Sequence, residues 1–194
     1  MTLQVTTSAA LTPLTSPIAT RSELGYRADD KVCIVTVGGS GVGADLLRRV
    51  IESFPRARQR VTGLRMVVVA GPRVDPAQLP AIASVEIHGY VHDLYRHLAI
   101  CDLAVAQGGL TTTMELVAAN RPFLYFPLGH HFEQTFHVPH RLARYGAGRR
   151  MDYLTSTPES IAAAIAEEIS KPVSYPTIDH GAVGRVAARI AEML

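Results

Sequence analysis

Residues 31–54 read KVCIVTVGGSGVGADLLRRVIESF. VCIVTV (32–37) is apolar on both alternating faces, the signature of a strand buried on both sides. GGSGVG (38–43) breaks it, and ADLLRRVIESF (44–54) then places Leu46, Leu47, Val50, Ile51 and Phe54 at helical spacing. A strand, a glycine turn and an amphipathic helix make the opening of a parallel α/β unit.

Working outward, the same alternation repeats. RMVVVA (65–70), SVEIHG (84–89), DLAVAQ (102–107) and FLYFP (123–127) are four more strand candidates, and AGRRM (147–151) is a short last one. Helices are expected over 92–101, 111–119 and 133–146, the last with Pro139 as a kink or near a start. TPESIAAAIAEEI (157–169) opens on a capping-box pattern at Thr157, Pro158 and Ser160, and 182–194 is a closing amphipathic helix. The fold class predicted is α/β, a Rossmann-like doubly wound parallel sheet. Residues 1–30, rich in Thr, Ser, Ala and Pro, read as a linker or extended arm, with one helical turn expected over 21–27. Residues 31–194 form the single domain.

Composition narrows the function classes. The 194 residues carry a formal charge of +2 and are 47% hydrophobic, which supplies a core and gives no basic footprint for nucleic acid. Cys33 and Cys101 sit in apolar stretches, as reduced core thiols would. No apolar run reaches the ~18 residues of a membrane span, and the first residues lack a signal-peptide pattern. These features set the expectation of a cytoplasmic protein.

In doubly wound sheets ligands bind beyond the carboxyl ends of the strands, so three loops draw attention. The 38–43 loop has glycines that let backbone N–H groups approach a phosphate; a ligand-free tight turn is the plain alternative. A dinucleotide site would want an acid at the end of the next strand, yet 69–72 reads VAGP and no acid comes before Asp75. QGGLTTTME (107–115) is the strongest signal. Free N–H groups and Thr hydroxyls at a helix start suit a diphosphate, and Glu115 lies one turn on, where a carboxylate can accept from a ribose diol. The alternative is a Thr-capped helix with Glu115 as a dipole partner. The third loop, PLGHHFEQ (127–134), offers Glu133 and Gln134 to sugar hydroxyls. His130, His131, His137 and His140 cluster without a recognisable metal-ligand pattern, so no metal and no cofactor are expected.

GGLTTTMELVAANRPFLYFPLGHHFEQ (108–134), followed by RLARYGAG (141–148), resembles the C-terminal, donor-binding domain of GT-B glycosyltransferases. The likeness is strongest to the bacterial family that adds N-acetylglucosamine to the lipid-linked muramyl precursor, and it covers about residues 31–170. The resemblance implies a single GT-B C-terminal-type domain that binds a UDP-sugar for transfer to an acceptor hydroxyl. It implies that Tyr90 and Val91 hold the uracil edge, Glu115 the ribose, and Gly109, Leu110, Thr111 and Thr112 the diphosphate, with Gly108 also in the nucleotide-sugar site. It also implies that Glu133 and Gln134 hold the donor sugar, and that the loop containing Gly39, Ser40 and Gly41 faces the cleft. Gln107, Thr111 and Val138 depart from the family's usual residues.

The partners expected are a UDP-sugar donor and an N-terminal acceptor domain, missing here, or a separate subunit. The second arrangement resembles the two-subunit transferase of the dolichol pathway. Peripheral association with the inner face of a membrane would come through the missing half. The base that deprotonates the acceptor is normally in that half, so no catalytic residue is assigned and the chain alone should transfer poorly. A non-catalytic nucleotide-binding module is the rival reading.

Overall fold

A computed structural model describes residues 17–39, 42–178 and 182–193. Six strands, β1 (Lys31–Thr36), β2 (Leu64–Val69), β3 (Val85–His88), β4 (Leu103–Ala106), β5 (Phe123–Tyr125) and β6 (Arg149–Arg150), form one sheet in the order β3-β2-β1-β4-β5-β6. Every pairing is parallel, with Cys33 of β1 opposite Met66 on one side and Leu103 on the other. The expected doubly wound α/β sheet is therefore present, and β1 sits where the strand order reverses.

The double burial that the apolar runs predicted is visible residue by residue. Cys33, Val35 and Val37 pack to one face beneath α2 (Ala44–Arg60) and α6 (Pro158–Glu168). Val32 and Ile34 pack to the other, with side chains of α3 (Leu94–Ile100), α4 (Leu110–Ala118) and α5 (Val138–Tyr145). Fully buried Phe54, Leu47 and Ile51 of α2 each contribute roughly 1.5–3 kcal/mol of burial. Cys33 and Cys101 are both buried, and desolvation pushes the Cys101 thiol up to about 12, so neither is a ready nucleophile.

Three local expectations change. The first helix does not stop at Phe54 but runs through Pro55 to Arg60. Pro55 lies exposed on the solvent side, while Ala57 is buried and Arg56 and Arg60 pair with Glu159 of α6. Tertiary contacts thus offset the backbone hydrogen bond that proline forfeits. The 133–146 helix divides into a π-helical turn, Glu133–His137, and α5, with Pro139 in the first turn of α5 where its missing N–H costs little. The arm assigned to 1–30 holds α1 (Pro17–Glu23), earlier than the turn expected at 21–27, and Thr20, Tyr26 and Asp30 are buried against the domain. Polar composition hid this attachment, which combines hydrogen bonds from Arg21 to the Ile100 carbonyl (2.9 Å) and Asp102 (3.2 Å) with packing of Leu24 and Tyr26 on the core. Residues 1–16 lie outside the described ones.

The capping box of α6 forms as read, with Thr157 Oγ1 accepting from the Ser160 N–H and Ser160 Oγ accepting from the Thr157 N–H. The last helix, α7 (Ala182–Ala191), is present, but its side chains described from residue 184 onward are exposed. Among the described residues no helix is long and apolar enough to cross a membrane.

Candidate functional site

All six strands point the same way, so their carboxyl ends share one rim. The loops after β1, β2 and β4 meet there. Gly71 follows β2 at φ +83°, and a Cβ on it would stand 2.3 Å from the Gly38 carbonyl oxygen. Only glycine lets these two loops approach so closely. Gly108 follows β4 at φ +89°, with its would-be Cβ 3.4 Å from the Tyr125 ring and 3.5 Å from Pro127. That turn delivers Gly109 as the N-cap of α4, a cap with no side-chain hydrogen bond. The first N–H groups of α4 have no intrahelical partner and open onto the rim.

Two adjoining hollows formed by described residues of this rim bear on the expected site. The first, about 410 Å3, is lined by Thr36, Gly38, Gly71, Pro72, Tyr90, Val91 and Glu115, with the start of α3 closing it. The second, about 180 Å3, is lined by Gly38, Gly39, Gln107, Gly109, Thr112 and Gln134. Thr36 and Gly38 line both, so the two hollows adjoin along the rim and together make up the candidate groove. α4 serves both: Thr112 borders the small hollow and Glu115, one turn later, borders the large one.

The chemistry differs along the groove. The small hollow offers a helix N-terminus, backbone N–H groups and a hydroxyl, a donor set for an anion. Glu115 is half-buried, and burial alone pushes its carboxyl above the usual range. A carboxylate in that setting gains most from a ligand that donates hydrogen bonds, such as a vicinal diol. Gln134 is buried, and its Oε1 accepts from the Leu128 N–H at 3.0 Å. What it offers a ligand is its NH2 group. Thr113 is spent on the helix, its Oγ1 3.0 Å from the carbonyls of Gly109 and Leu110.

The residues expected from sequence fall into three groups. Gly39, Tyr90, Val91, Gly109, Thr112, Glu115 and Gln134 line the groove. Gly108 is buried behind Gly109 as the turn residue, Leu110 packs towards the core, and Thr111 and Glu133 are exposed outside the lining. Ser40 and Gly41 lie outside the described residues. Sequence reading missed Thr36, which is buried and touches both hollows, and gave Gln107 no positive role although it is buried in the groove wall. Thr36 closes β1 and Gln107 directly follows β4, and that position at the carboxyl end was the available signal.

Asp75, the nearest acid after β2, caps the 3-10 turn Pro76–Gln78 by accepting from the Ala77 N–H at 3.0 Å. It is thereby engaged away from the ribose role that a dinucleotide site would give it. Among the described residues no group of three or more His, Cys, Asp and Glu could hold a metal ion.

Comparison with known proteins bears on the same segment. A glycosyltransferase of Methanosarcina acetivorans, itself uncharacterised, is 35% identical over 133 residues, 68% of this chain and 33% of the relative. The UDP-N-acetylglucosamine–N-acetylmuramyl-(pentapeptide) pyrophosphoryl-undecaprenol N-acetylglucosamine transferase of an Exiguobacterium species is 30% identical over 104 residues, 53% of this chain and 29% of the relative. Among solved structures, the calicheamicin glycosyltransferase CalG4 superposes with a TM-score of 0.62 at 22% identity, covering 75% of this chain and 35% of that one. Acinetobacter baumannii MurG superposes with a TM-score of 0.58 at 22% identity, covering 83% and 48%. The fold is therefore that of GT-B glycosyltransferases, and the chain spans about a third to a half of the length of the relatives it matches. The profile of the glycosyltransferase family 28 C-terminal domain matches residues 32–192. The chain belongs to that family.

Proposed function

We propose that this domain binds a UDP-sugar and presents it for transfer to an acceptor hydroxyl held largely by another domain or subunit. One observation carries the reading: a single helix, α4, borders an anion-suited hollow with Thr112 and an adjoining diol-suited hollow with Glu115. A nucleoside diphosphate has that order of groups. Tyr90 and Val91 flank the base, Glu115 accepts from the ribose, and the start of α4 receives the diphosphate. UDP leaves with growing negative charge, and a fixed helix N-terminus stabilises charge that develops in the transition state. The names of the muramyl-precursor transferases among the relatives support uridine and N-acetylglucosamine as the donor's parts. Association with a membrane would come through the partner half.

Calorimetric titration tests the donor. UDP should bind and NAD should not; NAD binding more tightly than UDP sinks the reading. Transfer needs the second half, because positioning two reactants is worth about 7–11 kcal/mol and this groove positions one. The purified chain should show no transfer comparable with a full-length relative, and adding the acceptor-binding half in trans should restore it. Robust transfer by the chain alone would refute the division of labour.

A further inference from the structure

Gln107 directly follows β4 at the carboxyl rim and is only 5% exposed. Along β4, Leu103 and Val105 pack beneath α2 and α6, whereas Ala104 packs on the opposite face. Strand alternation carries Gln107 to the α2 side of the sheet. Among the described residues nothing hydrogen-bonds to its carboxamide. No fully enclosed side-chain nitrogen or oxygen among them lacks a partner, so this amide keeps an opening onto the space it lines. A buried amide with its donors and acceptor unused costs stability unless a ligand engages it.

That space has two parts. One is the anion-suited hollow. The other is a chamber of about 340 Å3 that shares Gln107 with it and is walled by the start of α2 and the loops after β5 and β6. Its volume falls within the ~300–1,000 Å3 of small-molecule sites. Leu46, Phe126 and Met151 make an apolar wall, and Asp45 and Asp152 add carboxylates. A hexose presents a carbon–hydrogen face together with a rim of hydroxyls, and so matches both.

In a nucleotide sugar the hexose follows the diphosphate, and Gln107 stands between the anion-suited hollow and this chamber. The residues that the resemblance assigned to the sugar are placed otherwise. Glu133 is exposed and lines none of the three spaces, and Gln134 has its Oε1 committed to the Leu128 N–H at 3.0 Å. Gln107 keeps both its NH2 group and its Oε1.

We propose that Gln107 is the residue of this chain that selects the donor's hexose, its carboxamide exchanging hydrogen bonds with ring hydroxyls where the anion-suited hollow meets the chamber. The proposal rests on the donor reading above. A hydroxyl of the wrong orientation leaves an amide donor or acceptor unpaired, and in that way a neutral side chain discriminates between epimers.

Calorimetric titration of the full chain with UDP, UDP-glucose, UDP-galactose and UDP-N-acetylglucosamine tests it. Gln107→Met keeps the length and burial of the side chain and removes the amide. UDP affinity should stay within about twofold, while the tightest-binding UDP-hexose weakens about fivefold or more, the loss expected for one neutral hydrogen bond. The spread of affinity among the UDP-hexoses should narrow. Equal losses for UDP and the UDP-hexoses would assign the amide to the diphosphate and overturn the proposal. No loss for any ligand, or an unchanged spread, overturns it as well. NMR needs no variant: the side-chain NH2 signal of Gln107 should move further with that UDP-hexose than with UDP, and identical shifts count against the proposal. A wild-type chain that binds neither UDP nor any UDP-hexose refutes the donor reading itself, whereas binding that ignores Gln107 refutes the proposal alone.

Discussion

The two edges of the sheet treat polar groups in opposite ways. At the amino edge they are mutually satisfied. Asp102 accepts from the Val32 N–H at 2.8 Å and from Arg21 at 3.2 Å, and Arg21 reaches two further carbonyls. Arg65 donates to Glu86, Asp30 and the Gly25 carbonyl, and its guanidinium lies 4.8 Å over the Tyr26 ring. Burial would raise the Asp30 carboxyl, but the Arg27 N–H and the Arg65 guanidinium outweigh it and hold the group below its usual value. At the carboxyl edge, Glu115 sits half-buried with burial as the sole cause of its shift, and the α4 N-terminus has no side-chain cap. One edge spends its polar groups on cohesion; the other leaves the Glu115 carboxylate and the start of α4 open to a ligand.

The largest effect expected from breaking this contrast is at the amino edge. Asp102→Ala strands the Val32 N–H and removes the carboxylate partner of Arg21, which keeps the Ile100 and Asp30 carbonyls, at a cost of about 3 kcal/mol. Thermal unfolding should show a midpoint lower by roughly 6–12 °C, with UDP affinity below the transition unchanged. Weakened UDP binding in the folded variant would mean that the edges are not separable.

Glu115→Gln tests the other edge, where stability and binding should move in opposite directions. Loss of a charged acceptor for the ribose should cost about 1.5–3 kcal/mol, tenfold or more in UDP affinity, and spare pyrophosphate. The sign for stability follows from linkage. The ordinary value of the Glu115 carboxyl is 4.5 and the folded value is higher. Unliganded stability attributable to this group therefore falls as pH rises from 4.5 to the folded value, and the loss is complete above it. The Gln variant should lack that fall and be more stable at pH 7 in denaturant titrations. Asp30, whose folded value is depressed below 3.8, has the reverse sign and loses its contribution in acid. A Glu115→Gln variant that is less stable at pH 7 would return Glu115 to a structural role.

The smallest effect expected is at Thr112. Thr112→Val removes one hydroxyl from the small hollow and should weaken UDP and pyrophosphate alike, by about 1 kcal/mol. A loss confined to UDP would place Thr112 at the nucleoside instead.

What was legible in the sequence follows the same division. β1, β2 and β4 could be read because burial on both faces leaves an unbroken apolar run, as in residues 32–35 and 66–70. The turn into α4 could be read because Gly108 and Gly109 precede three threonines. The attachment of 17–30 could not, since it depends on Arg21 meeting Asp102 across 81 positions. Continuation of α2 past Pro55 rests likewise on distant packing, with Ala57 buried in the core and Arg56 and Arg60 facing Glu159 of α6. Within the site, GGLTTT does not say which threonine faces the groove. Helix phase decides it: Thr113 turns inward, Thr111 is exposed, and Thr112 is left at the hollow.

The contact between Gly71 and Gly38 has an energetic consequence. The Gly38 carbonyl occupies the space of a side chain on residue 71, and Gly38 borders both hollows. The two loops touch there, so a shift of either moves a wall of both hollows. Tethered nucleoside and diphosphate should show superadditive affinity, because tethering spares the second group its own loss of translational freedom, and the walls that receive them are joined by a carbonyl packed against a missing methyl.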